Sequence, residues 1–222
     1  VTRTLREDLA QRTDEEVLDE QYQQAHLAAR ESLSRGITSF HDAGESFNGI
    51  DFFKRLVDEG RLPIRLYVMV GGEYPVTLKE RLADYWMVDY GDMLTVRSIK
   101  QVVDGALGSH GAWLLEPYED LPSSAGLNTS PMDSIKAAAA AAIANGFQVN
   151  THAIGDRGNR EILDIYEATF DGDLETDRRW RIEHAQHLHP DDIPRFGELG
   201  VIPAMQGVHQ TSDAPWVPKR LG

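Results

Sequence analysis

The chain has 222 residues, of which 41% are hydrophobic and 26% charged, a composition typical of a soluble globular domain. Its formal net charge of -14 disfavours binding to nucleic acid or to an anionic membrane surface, and no apolar run approaches the roughly 18 residues of a membrane span. The lack of cysteine excludes disulfides, thiolate metal ligands and cysteine nucleophiles. Any metal ion would therefore be held by histidine, carboxylate or modified side chains.

The composition also limits location and partners. The lack of cysteine is compatible with a reducing compartment, and we expect a cytoplasmic location. The chain starts at Val1 and shows no basic and apolar leader. Because it also lacks an initial methionine, the sequence does not exclude a targeting segment upstream of Val1. We expect a small-molecule partner, no nucleic acid and no membrane, and the composition is compatible with a homo-oligomer.

The first predicted element is a long helix that begins after Thr13 and ends at Gly36. Thr13 and Glu16 have the spacing of a capping box, and apolar residues recur at helical spacing along the stretch. A short β-rich run, ITSFHDAG at residues 37–44, follows this helix. The next stretch, residues 47–60, is again helical in pattern and again ends at a glycine.

Strands and helices then alternate to the end of the sequence. Runs of apolar and β-branched residues predict further strands at 64–70, 98–107, 147–152, 178–186 and 201–210. Amphipathic or alanine-rich patterns predict the intervening helices at 77–86, 130–146, 156–170 and 189–200. Six strands that alternate with helices predict an α/β fold with a parallel sheet.

Six strand-helix units are compatible either with an open, doubly wound sheet or with part of an eight-stranded barrel. The polar residues favour the barrel, because they lie near the C-terminal ends of the strands, where barrel enzymes place their sites. In chain order these residues are His41, Asp42, Lys100, Asp104, His152, Asp156, Glu183, His184, Gln206 and His209. The irregular segment at 108–129 is a further place for functional residues.

Two histidines, His152 and His184, lie one strand-helix unit apart and so occupy corresponding positions on neighbouring strands. Two imidazoles placed in this way can share one metal ion. Each histidine taken singly fits a hydrogen-bonded core residue equally well, and a lone lysine such as Lys100 is usually a strand-end residue that reaches for solvent. Glu183 should point to the opposite face from His184 and orient a neighbour.

Three further histidine and carboxylate assignments complete the pattern. We interpret His41 and Asp42 as a pair that supports the site or caps a turn. His187 follows a strand end, and a packing role is the favoured interpretation. We assign Asp156 to a turn at 155–158 that leads into a helix starting near Asn159.

Five stretches carry a resemblance to a known family: GITSFHDAG, IKQVVDGALGSHGAWL, VNTHAIGDRGNREILDIYE, RWRIEHAQHLHPDDIPRFGELGV and MQGVHQTSDAPWVPKRLG. In this order they resemble the metal-dependent amidohydrolase superfamily, and within it amidohydrolase family 3, the YtcJ-like hydrolases. The resemblance implies a (β/α)8 TIM-type barrel with one or two divalent metal ions, zinc (Zn2+) or another metal. It covers nearly the whole chain.

The resemblance also implies roles for single residues. Lys100, His152 and His184 match the metal ligands of barrel strands 4, 5 and 6, with Lys100 carboxylated so that it can bridge two ions. The implied activity is hydrolysis of carbon-nitrogen bonds in amide-type, non-peptide substrates by a metal-activated water. The candidates for substrate contact are His110, Trp113, Gln206, His209 and Asp213. The alternative is a non-catalytic relative that keeps the barrel and binds a small molecule.

Two parts of the family pattern have no counterpart in the sequence. The strand-1 His-x-His pair is not found, since HLH at 187–189 follows strand 6, and Asp213 lies in what resembles the strand-7 loop rather than at the catalytic strand-8 aspartate. Residues 1–222 are thus predicted to form part of one barrel domain, about strands 2 to 7, without the terminal strands or the family's small β-domain. We expect this segment alone to be inactive. In the remaining alternative, an unrelated open α/β protein, His152 and His184 would not meet.

Overall fold

The computed structural model describes residues 12–222, and residues 1–11 of the predicted domain lie outside the described residues. Within residues 12–222 the strands β1 to β7 span Ser39–Glu45, Arg65–Val70, Met87–Tyr90, Leu94–Val102, Gln148–Ala153, Arg181–His184 and Ile202–Ala204. The helices α1 to α8 span Asp14–Ser34, Phe47–Asp58, Pro75–Arg81, Met132–Asn145, Asp156–Phe170, Ile193–Glu198, Val208–Ser212 and Val217–Leu221. Strands and helices therefore alternate along most of the chain.

The strands form one open sheet in the order β1-β2-β4-β5-β6-β7. All neighbours along this path are parallel, whereas β3 pairs with β4 in the antiparallel direction. The two outermost strands, β1 and β7, do not pair with each other. The sheet therefore has the form of an incomplete TIM-type barrel, which confirms the predicted fold class.

Several helix ends follow directly from the sequence. At the start of α1 the Thr13 hydroxyl oxygen accepts a hydrogen bond from the Glu16 amide at 3.2 Å, and the Glu16 carboxylate accepts from the Thr13 amide at 2.8 Å. This is the predicted capping box. Helix α4 ends at Gly146, whose φ of 71° is the left-handed conformation that glycine adopts without strain.

Three predicted strands differ clearly from the observed ones, and one strand was not predicted. β4 spans Leu94–Val102 rather than 98–107, and β6 spans Arg181–His184 rather than 178–186. β7 ends at Ala204, and the rest of the predicted strand at 201–210 includes helix α7. β3 has only four residues. Apolar runs this short do not show whether the period is that of a strand or of a helix, which is why the pattern failed here.

Strand β5 shows how the two faces of the sheet divide. The Thr151 hydroxyl lies 2.8 Å from the Tyr166 hydroxyl of α5, so Thr151 faces the helices. Because side chains alternate along a strand, Asn150 and His152 point to the opposite face. Lys100 is the register partner of Asn150 and shares that face. We call the side that packs on the helices the outer face and the other side the inner face.

The outer face is apolar and closed. Side chains of the sheet and of the helices form one core, whose fully buried members include Val68, Ile99, Val149, Ile182, Ile135, Ile162 and Leu163. Trp180, only 1% exposed, packs edge-on against Tyr166 and donates its ring N–H to the Phe147 carbonyl at 3.1 Å. Burial of this apolar area is the main source of the fold's stability. Within residues 12–222, no helix combines the length and apolar character of a membrane span.

Candidate metal centre

Lys100 lies on the inner face of β4, beside Asn150 and diagonal to His152. Its ammonium group donates to the Gln101 carbonyl at 3.0 Å. Burial lowers the pKa of Lys100 to about 8, with Glu183 opposing and Arg181 adding to the shift. At neutral pH this lysine therefore has a larger neutral fraction than a surface lysine, and only the neutral amine is a nucleophile.

The rings of His152 and His184 lie side by side at the carboxyl end of the sheet. Their centroids are 4.5 Å apart with the planes at 78°. The sequence spacing of the two histidines predicts this contact, and the alternative in which they do not meet is wrong. The third predicted ligand, Lys100, is close enough to affect the pKa of His184.

The backbone at His184 explains how its ring reaches this position. In the register of the sheet His152 pairs with Glu183 and Ala153 pairs with His184, so strand alternation would place His184 on the outer face. Instead His184 has a φ of 79° and Ala185 a φ of 42°. Such left-handed conformations are uncommon for residues other than glycine and gather at functional sites. The turn directs the His184 ring to His152.

Glu183 contacts a charged neighbour on its own strand. Its carboxylate lies 2.8 Å from the Arg181 guanidinium, and it raises the pKa of Lys100. Glu183 is therefore an inner-face residue on the same side as Lys100. The expectation that it points away from the site is wrong, because the alternation on which it depended breaks at His184.

The hydrogen-bond network assigns the two ring nitrogens of His184. The Gln206 amide donates to the Ala204 carbonyl at 2.7 Å, so its oxygen faces the His184 Nδ1 at 2.5 Å. With the amide in this orientation Nδ1 carries the hydrogen, the His209 Nε2 atom 3.2 Å away is a second acceptor for it, and the His184 Nε2 atom offers a lone pair. The pKa of His184 is lowered to about 4, chiefly by burial and also by the neighbouring His152, His209 and Lys100, while the hydrogen bond with Gln206 opposes the shift. The ring is thus neutral at pH 7, the form that binds metal.

The donor set fits a divalent metal in part. Within residues 12–222, no three His, Cys, Asp or Glu side chains form a group that could hold an ion. The predicted set contains two imidazoles and one lysine, and only a modified lysine would be an anionic ligand. Two neutral imidazoles suit zinc, which takes four ligands in most sites. The described residues therefore bring two imidazoles together but do not form a complete coordination shell.

A cavity of about 570 Å3 opens beside His184. Its polar wall contains three of the predicted substrate contacts, Gln206, His209 and Asp213. Asp213 accepts a hydrogen bond from Gln186 at 2.6 Å, which lowers the pKa of its carboxyl group. The rest of the wall is largely apolar and includes Met205, Ala214, Val217 and Pro218.

The other two predicted contacts, His110 and Trp113, do not line this cavity. The His110 ring nitrogen lies 2.9 Å from an Asp120 oxygen, and the ring packs edge-on against Tyr118. The Arg157 guanidinium lies 4.6 Å from the centre of the Trp113 ring. Both residues thus have packing partners within the long loop and at the start of α5.

His41 and Asp42 point to opposite faces of β1 and do not act as a pair, whereas the capping role holds for Asp42, whose Oδ1 accepts a hydrogen bond from the Gly44 amide at 3.3 Å. His41 stacks on Tyr67 with centroids 4.8 Å apart, at the wall of a second cavity that Arg97 and Arg181 also line. Asp42 lies on the other side of β1, in a groove against α1, where burial raises its pKa. Successive residues of a strand point to opposite faces, so the two side chains separate.

Asp104 is 1% exposed, and its role is not apparent from the sequence. One carboxylate oxygen accepts hydrogen bonds from the Gly155 amide at 2.8 Å and the Trp113 amide at 2.9 Å. The other accepts from the Ile154 amide at 2.9 Å. Asp104 therefore ties the long loop to the end of β5. Its position after a strand was the only signal in the sequence.

Comparison with known proteins identifies relatives of this chain. The chain is 34% identical over 218 residues to the protein LONG AFTER FAR-RED 3 of Arabidopsis thaliana, covering 92% of this chain and 37% of that protein. It is 28% identical over 200 residues to the Bacillus subtilis (strain 168) protein named "Putative amidohydrolase YtcJ", covering 88% and 36%. The chain thus spans less than two fifths of the length of these relatives.

Two solved structures have a similar fold. An uncharacterized metal-dependent hydrolase from Pyrococcus horikoshii OT3 superposes with a TM-score of 0.77 at 27% identity, covering 92% of this chain and 40% of that one. An uncharacterized metal-dependent hydrolase from Pyrococcus furiosus gives 0.72 at 30% identity, covering 88% and 39%. The model of the amidohydrolase family matches residues 1–222. The chain belongs to the amidohydrolase family.

Proposed function

We propose that the full-length protein is a metal-dependent hydrolase that cleaves carbon-nitrogen bonds in small, amide-type, non-peptide substrates. The observation that carries the proposal is the meeting of two imidazoles, His152 and His184, at the carboxyl end of the sheet, with Lys100 on the inner face nearby. Membership of the amidohydrolase family and the likeness to two metal-dependent hydrolases support it. The lack of cysteine supports a cytoplasmic location.

In this proposal the ligands are His184 through Nε2, His152, and Lys100 as a carbamate. The neutral Lys100 amine attacks the carbon of carbon dioxide, a C–N bond forms, one C=O electron pair moves to oxygen, and the amine releases a proton to solvent. The lowered pKa of Lys100 favours this reaction. A bound divalent ion, zinc in our proposal, supplies a Lewis acid and lowers the pKa of a coordinated water.

The cavity beside His184 binds the substrate in this proposal. Gln206, His209 and Asp213 offer hydrogen bonds to the amide group, and the apolar wall with Met205 and Val217 packs against an apolar substituent. The bond from Gln186 holds Asp213 in place, so Asp213 acts in binding. Proton transfer to the leaving nitrogen falls to the family's strand-8 aspartate, for which this sequence offers no counterpart.

Metal analysis of the full-length protein tests the proposal. We expect near-stoichiometric zinc in the wild type and its loss in Lys100→Ala, because the anionic ligand is gone. Lys136→Ala is the matched control, since Lys136 is a surface lysine with 61% of its side chain exposed. Turnover of formamides, cyclic amides and N-acyl compounds would then identify the substrate class. A protein that contains no metal and binds small amides without turnover would instead be the non-catalytic relative.

A further inference from the structure

A buried carboxylate lies directly beside one of the proposed ligands. The Asp104 Oδ1 atom is 3.4 Å from the Nε2 atom of His152. Both side chains are withdrawn from solvent, since the Asp104 side chain is 0% and the His152 side chain 18% exposed. At this distance the two atoms are neighbours, and a small rotation of the imidazole would bring them to hydrogen-bond length.

The hydrogen bonds around this pair leave one donor and one acceptor unused. Asp104 Oδ2 accepts from two backbone amides, and Oδ1 accepts from only one, that of Ile154. The His152 Nε2 atom is buried and has no hydrogen-bond partner within residues 12–222. An ionised carboxylate only accepts, so a hydrogen shared between these atoms must be on Nε2. Burial of Nε2 without such a bond would be costly.

We infer that Asp104 is a positioning residue for His152. Its Oδ1 takes the Nε2 hydrogen, which fixes the tautomer and leaves Nδ1 as the nitrogen that offers a lone pair. The role of His152 as a metal ligand rests on the proposed function, whereas the assignment of its tautomer does not. Histidine ligands commonly donate their second ring nitrogen to a carboxylate or carbonyl, which fixes the ring and raises its basicity.

The two imidazoles would then present opposite nitrogens. Gln206 takes the Nδ1 hydrogen of His184 and leaves Nε2 free. Asp104 takes the Nε2 hydrogen of His152 and leaves Nδ1 free. Asp104 is held for this task by three backbone amides from the long loop and the end of β5, so its carboxylate cannot turn away. The loop and the ligand are therefore coupled through one side chain.

The tautomer can be read directly in the metal-free protein. Long-range proton-nitrogen NMR spectra of 15N-histidine-labelled protein, above the titration range of imidazole, distinguish the N–H nitrogen from the lone-pair nitrogen. The His152 signals are assigned by their loss in His152→Asn. We expect a hydrogen on Nε2 in the wild type, and a mixed or reversed tautomer in Asp104→Asn, which presents an N–H donor. A wild-type His152 with its hydrogen on Nδ1 overturns the inference.

Asp192→Asn is the matched control. Asp192 is also buried, at 3% exposure, but its partners are Arg160 and Arg195 rather than a histidine. It should leave the His152 tautomer unchanged, and a change there would show that the effect is general. The zinc affinity of Asp104→Asn should fall about 10- to 100-fold, measured against a competing chelator. Equal affinity in variant and wild type overturns the positioning role, whereas the expected tautomer without zinc binding by the wild type overturns only the proposed function.

Discussion

The outer and inner faces of the sheet are built from the same strands but differ in how their buried polar atoms are hydrogen-bonded. On the outer face polar atoms are few and paired, as Thr151 with Tyr166 and Trp180 with Phe147. On the inner face both polar atoms of the Asn150 side chain are buried without a hydrogen-bond partner among the described residues. The outer face therefore supplies stability, whereas the inner face gives up stability to hold reactive groups.

Removal of a large buried side chain from the outer face should cost the most stability. Trp180→Ala removes a fully buried indole from contact with Tyr166 and Phe170 and leaves the Phe147 carbonyl without its donor. We expect the free energy of unfolding to fall by about 3–5 kcal/mol. Urea denaturation followed by circular dichroism measures it.

Trp86→Ala provides the control for this substitution, because Trp86 is 47% exposed. Surface substitutions of this kind usually change stability by about 0.5 kcal/mol or less. Similar losses for the two tryptophans would mean that burial on the outer face does not dominate the stability of the fold.

The second prediction tests the junction between the faces, where the long loop meets the end of β5. A Cβ atom at Gly155 would lie only 2.0 Å from the Trp113 carbonyl oxygen, so Gly155→Ala must displace the loop. We expect a loss of about 1–3 kcal/mol in the free energy of unfolding. Thermal unfolding of the purified variant checks this value.

Gly197→Ala is the matched substitution in α6, where an added Cβ meets nothing within 4 Å. Alanine is favoured over glycine in a helix by about 0.5–1 kcal/mol, so this variant should be slightly more stable. If both alanines were tolerated equally, the close approach of Gly155 to the loop would not constrain the site.

The smallest effects should sharpen the comparison within one strand. Asn150→Leu removes a buried amide without partners from the inner face and should raise the free energy of unfolding by about 1 kcal/mol. Thr151→Val, one residue along on the outer face, removes the bond to Tyr166 and should lower it by about 1 kcal/mol. Chemical denaturation of both variants gives the two signs. Destabilisation by both would show that Asn150 is satisfied in the native protein.

Long elements with a clear hydrophobic period were predictable from the sequence, whereas short strands and local irregularities of the backbone were not. Helix α5 ends at its predicted residue, Phe170, because its 15 residues carry a clear helical pattern, but it already starts at Asp156, inside the stretch that we predicted to be a turn. The four residues of β3 are too few to show a period. The separation of His41 from Asp42 could have been predicted from strand alternation alone.

The meeting of His152 and His184 was predictable from the sequence, but the local geometry that brings it about was not. The strand-helix spacing of His152 and His184 placed the two rings together. No sequence signal showed the left-handed backbone at His184, since neither it nor Ala185 is a residue that usually adopts positive φ. Asp104 was missed because its partners are backbone amides, which carry no sequence pattern.

Strand β3 covers a part of the β4 edge that strand β5 does not reach. β5 pairs with β4 only from Ser98 onward, while β4 itself starts at Leu94, so the two strands are offset by about 13 Å at roughly 3.3 Å per residue. Such a stagger is the shear that lets tilted strands wind around a common axis. Pairing with β3 at Leu94 and Val96 occupies the step that the stagger exposes. The short antiparallel strand thus protects a backbone edge that the winding of the sheet would otherwise leave open to other chains.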